Sequence, residues 1–171
     1  MGDFIYTLSY NMILAAVIGF ISSGFGNLVP KRLINAQKFP FKAHRWEHGG
    51  KAYTFLAVDK WKTKAPDVSK HFKWVFCKRL SGSMDKEYID HFITETCVAE
   101  MVHYILIFIS PVFFLWNNIY WGRAIVFLYI VGNLPFIVIQ RYNRPRLIRL
   151  EARYTKNTVV RDMQIAGEKV R

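Results

Sequence analysis

The stretch VAEMVHYILIFISPVFFLW, from Val98 to Trp116, and the stretch WGRAIVFLYIVGNLPFIVIQ, from Trp121 to Gln140, decide the fold. Each has close to the roughly 20 mostly apolar residues that a helix needs to cross the hydrocarbon core of a bilayer. The connection, Asn117 to Gly122, is short, so the two read as an antiparallel helical hairpin. A third apolar run, from about Phe4 to Val29, has the same character. The expected fold is an all-α membrane protein with three transmembrane helices, built as a single membrane domain over residues 1–171.

Charge patterning sets the expected topology. Residues 1–30 hold no Lys or Arg, residues 31–100 hold fourteen, residues 101–139 hold only Arg123, and residues 140–171 hold nine. Basic loops beside membrane spans stay on the cytoplasmic side. The segment 31–97 and the basic tail 141–171 are therefore expected in the cytoplasm, with the N-terminus and the hairpin tip outside. Met1-Gly2-Asp3 has no positive n-region, so a cleaved signal peptide is not expected. Nucleic-acid binding, the other standard reading of a net charge of +12, is disfavoured because the charge flanks the spans and forms no continuous stripe.

Cys77 and Cys97 lack a metal-ligand pair spacing and fall in predicted cytoplasmic or membrane-entry positions. No disulfide is expected there.

Within the first span, Ala15, Gly19 and Ser23 recur every four residues, with a second row at Ser22 and Gly26. Small residues in such rows let helices approach closely, against the other spans or in a homo-oligomer. Between Lys31 and Ser83, aromatic residues alternate with lysines, a mixture suited to the membrane interface. Lys51 to Val58 reads as extended or irregular, and Val68 to Arg79 as a short helix on the membrane surface. Ser83 is a candidate N-cap, with Asp85 and Glu87 in the first turn of a helix running on to Pro111–Trp116. Gly132, Asn133 and Pro135 predict a kink in the third span.

At 100° per residue, Glu95, Ala99, His103, Thr96 and Glu100 fall at about 0°, 40°, 80°, 100° and 140° on the long helix. They share a face, which Ile107 and Ser110 continue. An ionisable group at membrane depth is costly and usually faces a bundle interior or a wet cavity. His103, with Glu100 three residues earlier, has the chemistry of a base and its orienting carboxylate; a buried histidine bonded for packing is the alternative. Glu-x-x-His also occurs in di-metal bundles, but those need a matching motif on another helix and none is present, so no metal is expected.

A second cluster, Trp46-Glu47-His48-Gly49-Gly50, combines an acid, a base and two glycines that permit close backbone approach. Its readings are a catalytic or substrate-binding group, with His48 as an alternative base, and a plain interfacial loop. Lys60-Trp61-Lys62, followed by Pro66-Asp67, reads as a lipid-phosphate contact or an anchor. The most specific cluster is Gln140 to Leu147, with Arg141, Tyr142, Asn143, Arg144 and Arg146 around Pro145. Arginine forks suit phosphate and carboxylate. Proline biases the residue before it toward an extended form, so a shaped turn with arginines projecting at headgroup depth is expected.

The run Glu95-Thr96, Ala99-Glu100, His103, Pro111, Asn133, Pro135 and Gln140 to Leu147, together with Lys60-Trp61-Lys62 and Asp67, resembles the small integral membrane family of glycosyl-4,4'-diaponeurosporenoate acyltransferases. The likeness covers about Glu47 to Leu150. It implies transfer of a fatty acyl chain to a lipid-linked hydroxyl, such as the glucose 6-hydroxyl of a carotenoid ester, on the cytoplasmic side of the cell membrane.

On that footing His103 is expected as general base and Glu100 as its orienting group. Glu95 tunes the pair or binds sugar, and Asn133 donates to the oxyanion. Arg141, Arg144 and Arg146, with Tyr142 and Asn143, are expected to hold donor phosphates or a lipid headgroup, while Glu47, His48 and Trp61 contact substrate. No cofactor is expected beyond acyl-CoA or another acyl donor as substrate, and the expected partners are that donor and membrane lipid. A non-catalytic lipid-binding or assembly subunit is the rival reading. A small reductase or methyltransferase is a third, for which the chain shows no recognisable cofactor loop.

Overall fold

The computed structural model describes residues 2–64 and 85–169. The short helix expected over 68–79, the cap expected at Ser83, and Pro66, Asp67 and Cys77 lie outside them.

Among the described residues four α-helices follow in chain order: α1, Gly2–Leu28; the short α2, Val58–Trp61; α3, Lys86–Ile109; and α4, Ile119–Lys169. A single turn of 3-10 helix at Lys31–Leu33, two turns at Ser110–Leu115, and a longer irregular stretch at Arg45–Leu56 complete the described secondary structure. Three helical segments, Phe4–Gly26, Lys86–Leu115 and Ile119–Ala166, are long and apolar enough to cross a membrane. The chain is thus an all-α membrane protein with the three expected spans.

Its residues gather into two compact units, one made of Met1–Ile34 and Cys97–Gln140, the other of Asn35–Thr96 and Arg141–Arg171. The first unit is apolar outside as well as inside. Phe20, Phe108, Leu115, Phe127 and Leu128 are all exposed, an arrangement suited to hydrocarbon as solvent. Inside, Val98, Val102 and Leu106 form a buried cluster against Ile18, Ile34 and Tyr129. Close approach falls at Gly26, where an added Cβ would stand 2.6 Å from Val102 Cγ2. The second of the two small-residue rows is therefore the one that packs, since Ser22 is buried while a Cβ on Gly19 would meet nothing within 4 Å.

A reciprocal amide pair adds a polar tie. Asn11 Nδ2 donates to Asn117 Oδ1 at 3.0 Å, and Asn117 Nδ2 donates back to Asn11 Oδ1 at 2.9 Å. Both amides also donate to a carbonyl one turn earlier, Thr7 and Phe113 respectively, so neither is stranded in an apolar setting.

The second unit has its own small core of Ile89, Phe92, Ile93 and Leu147, flanked by Ala36, Tyr88, Ile148 and Leu150. At the head of α3, Asp85 Oδ1 accepts the Tyr88 backbone N–H at 2.8 Å, which makes Asp85 the N-cap.

Of the two readings for Lys51 to Val58, extended or irregular, the irregular one fits: the residues continue the 3-10 turns of Arg45–Leu56 into α2, after left-handed backbone at His48, Gly49 and Gly50. One local expectation is overturned. The turn expected at Gln140–Leu147 is helix: α4 runs unbroken through Gly132, Pro135 and Pro145. Proline removes one N–H donor from the helix ladder, a local cost. Against it stand the side-chain bonds of Arg141 and Arg144, whose i, i+3 spacing puts both on one face only while the backbone stays helical.

Candidate active site

In the first unit the polar stripe of α3 is turned inward. Glu100 is fully buried, Ser110 is buried, and His103 is half-buried. His103 Nδ1 lies 2.8 Å from Asn133 Oδ1, and the imidazole stacks on Phe136 with centroids 4.7 Å apart and planes 10° from parallel. The Asn133 amide nitrogen donates to the Tyr129 carbonyl at 2.8 Å, which orients the amide and leaves its oxygen toward the ring. An oxygen there requires a proton on Nδ1, so Nε2 is the nitrogen carrying the lone pair. Asn133, expected as an oxyanion donor, thus sits as the partner that sets the tautomer of His103.

In the second unit the part of α4 beyond Gln140 supplies a row of arginines. Arg141 donates from Nη1 to Glu47 Oε1 at 2.5 Å and from Nη2 to the Pro40 carbonyl at 2.7 Å. Arg144 donates from Nε to Thr96 Oγ1 at 2.9 Å, from Nη2 to the Thr96 carbonyl at 2.9 Å, and from Nη1 to the Phe41 carbonyl at 2.7 Å. Both are buried, Arg144 to 2% exposure, so the expected projection of these side chains into the headgroup layer is not what is seen. They clamp the loop around Pro40 and Phe41, and the residues at Glu47 and Thr96, onto α4.

Tyr142 organises a second cluster. Its hydroxyl donates to Asp59, the Arg146 guanidinium lies 3.4 Å from its ring centroid, and Lys62 Nζ lies 4.8 Å from it, both within cation–π range. Burial pushes the Lys62 ammonium below its ordinary range, the like charge of Arg146 adds to the shift, and Asp59 opposes it.

The remaining expected residues are more scattered. Glu95 is buried with His91 Nε2 3.6 Å away, and Trp61 donates its indole N–H to the Leu56 carbonyl at 2.9 Å. His48 is exposed at the tip of the left-handed turn, and Asn143 is half-buried. Lys62, from the Lys60-Trp61-Lys62 run, joins the second unit's polar network, as do Asp59 and Arg149, which were not singled out. Their only sequence signal was proximity to the Lys-Trp-Lys and arginine runs.

Gly50 shows why the Gly49-Gly50 pair is needed. Its φ is +89°, and a Cβ there would lie 3.0 Å from the Tyr142 carbonyl oxygen. Next to it, Arg149 Nη1 donates to the Gly49 carbonyl at 3.2 Å. A cavity of about 210 Å³ opens in this unit, with Phe41, Ala43, Glu47, Arg141, Arg144 and Arg149 among its lining. Among the described residues, no three His, Cys, Asp or Glu side chains gather to hold a metal ion.

Three helices long and apolar enough to cross a membrane, one of them carrying a half-buried histidine bonded to Asn133, define a small polytopic membrane protein. The chain belongs to the glycosyl-4,4'-diaponeurosporenoate acyltransferase family, whose model matches residues 37–153. It is 28% identical over 156 residues to the glycosyl-4,4'-diaponeurosporenoate acyltransferase of Staphylococcus aureus strain MRSA252, covering 88% of this chain and 91% of that protein. The counterpart in the bovine strain RF122 / ET3-1 is 28% identical over 152 residues, with the same coverage. No solved structure matches the chain.

Proposed function

We propose that the protein transfers a fatty acyl chain from a cytoplasmic or lipid donor, such as acyl-CoA, to a hydroxyl of a glycolipid such as a glycosylated carotenoid. Family membership supports the reaction class. The observation that carries the mechanism is the 2.8 Å contact between His103 Nδ1 and Asn133 Oδ1, which makes Nε2 the basic nitrogen.

Nε2 takes the proton of the acceptor hydroxyl as its oxygen attacks the acyl carbonyl carbon. The tetrahedral intermediate collapses with cleavage of the bond to the donor, and the departing thiolate or alkoxide receives that proton from Nε2. Glu100, fully buried one turn before His103, steadies the imidazolium that forms in between, and Asn133 keeps the ring in register.

Donor phosphate falls to Arg146, with Lys62 beside it, while Arg141 and Arg144 act by holding the loop in place. The protein sits in the cell membrane as a multi-pass chain with its basic segments in the cytoplasm, an orientation that rests on the charge pattern.

The test is transfer from radiolabelled acyl-CoA to a glycosylated carotenoid by the purified protein in nanodiscs. Formation of labelled ester is the expected result. If none forms across a range of donors while the protein still binds lipid, the chain is a non-catalytic lipid-binding subunit.

A further inference from the structure

Two cations share the ring of Tyr142. The Arg146 guanidinium lies 3.4 Å from its centroid and the Lys62 ammonium 4.8 Å, which brings like charges together around one side chain. An aromatic face attracts each cation but supplies no countercharge. Among the described residues, neither head group has a hydrogen-bond acceptor or an ion-pair partner, whereas Arg141 and Arg144 bond to carbonyls, a hydroxyl and a carboxylate. Lys62 and Arg146 are only half-buried, so a molecule from solvent can reach both.

The charge around the ring is unbalanced. Asp59, an exposed carboxylate, accepts the Tyr142 hydroxyl, and it acts on Arg146 together with Arg149, one turn further along α4. Lys62, Arg146 and Arg149 thus face a single described carboxylate, a surplus of two positive charges.

The size of that surplus selects among anions. A carboxylate or a phosphate diester brings one negative charge, whereas a phosphate monoester brings close to two near neutral pH, with three oxygens free to accept. Two of those oxygens suit the planar fork of Arg146, and the third suits the point charge of Lys62. Burial and the like charge of Arg146 hold the Lys62 ammonium below its ordinary range, a repulsion that a dianion between the two would relieve.

We propose that Lys62 and Arg146, backed by Arg149, form a subsite for a phosphate monoester dianion. This deepens the donor-phosphate reading and rests on it only in making the monoester part of the acyl donor. A soluble donor and a lipid with a monoester headgroup present the same chemistry.

The experiment is equilibrium binding of radiolabelled butyl phosphate to the full-length protein in phosphatidylcholine nanodiscs, at mildly alkaline pH where the monoester is doubly ionised. Saturable binding is expected, with butyl methyl phosphate, a diester of similar size, at least about tenfold weaker as a competitor. Arg146→Gln and Lys62→Gln should each weaken binding about tenfold or more, the loss of a hydrogen bond to a charged group. Displacement by coenzyme A, which carries a monoester on its ribose, puts the source in solution; displacement by phosphatidic acid built into the nanodisc puts it in the lipid. Either supports the subsite.

Absence of saturable binding by the wild type overturns the proposal, as does a diester that competes equally well. Unchanged affinity in a folded Arg146→Gln or Lys62→Gln protein also overturns it, and either variant decides should the other fail to fold. Acyl transfer without this binding sinks the subsite alone, whereas binding without any transfer sinks the acyltransferase reading alone.

Discussion

The two units of this protein solve the burial of polar groups in opposite ways. In the unit built from 1–34 and 97–140, two side-chain pairs stand out, Asn11 with Asn117 and His103 with Asn133, each also tied to helix backbone. In the unit built from 35–96 and 141–171, arginines carry most of the long-range contacts, reaching carbonyls and a carboxylate about 48 to 103 residues away in sequence. Lipid cannot satisfy a stray donor, so amides there pair neatly and locally with neighbouring helices. A loop without regular structure has many unpaired carbonyls, and a planar five-donor fork is the side chain best able to gather them.

On the proposed mechanism the base lies in the first unit, while the buried arginines of the second act as structural ties, and substitutions should separate the two. The largest effect should come from His103→Ala. Acyl transfer should fall by about 100- to 10,000-fold, the range for removing a general base, while thermal unfolding in detergent stays close to wild type. Ordinary turnover by this variant would remove His103 from the mechanism.

Arg141→Ala should act the other way, on stability before activity. It strands the buried Glu47 carboxylate, and removing one partner of a buried pair costs roughly 3–5 kcal/mol. Chemical unfolding followed by tryptophan fluorescence would register it; a wild-type midpoint would mean that the clamp carries little of the fold.

Next in size is Gly50→Ala. Its φ of +89° and the 3.0 Å approach to the Tyr142 carbonyl predict a loss of about 1–3 kcal/mol in the same unfolding measurement. No loss would show that the turn relaxes freely.

Asn11→Leu probes the pairing in the apolar unit and should be the mildest. Polar contacts between membrane helices average about 0.6 kcal/mol, with a maximum near 1.7. A larger destabilisation would erase the contrast between the units.

Much of the framework was legible before any coordinates. Apolar length marked the three spans, and the charge break at Gln140–Arg141 coincides with the boundary between the two units along α4. The inward stripe of Glu95, Thr96, Glu100 and His103 followed from helical periodicity. The arginine cluster was noticed for its residue types, but its geometry was misread. Pro145 argued for a turn, and the five side-chain bonds made by Arg141 and Arg144 instead accompany a continuous helix.

By itself, the sequence determined the class of protein, because hydrophobic length and charge distribution act over a single segment and need no partner to be read. Only the tertiary structure decided what each polar residue does. A guanidinium donates equally well to phosphate, carboxylate or backbone carbonyl, and an asparagine can face an oxyanion or an imidazole. The choice lies in acceptors brought close by folding: Pro40, Phe41 and Glu47 for the arginines, and Asn133 for His103.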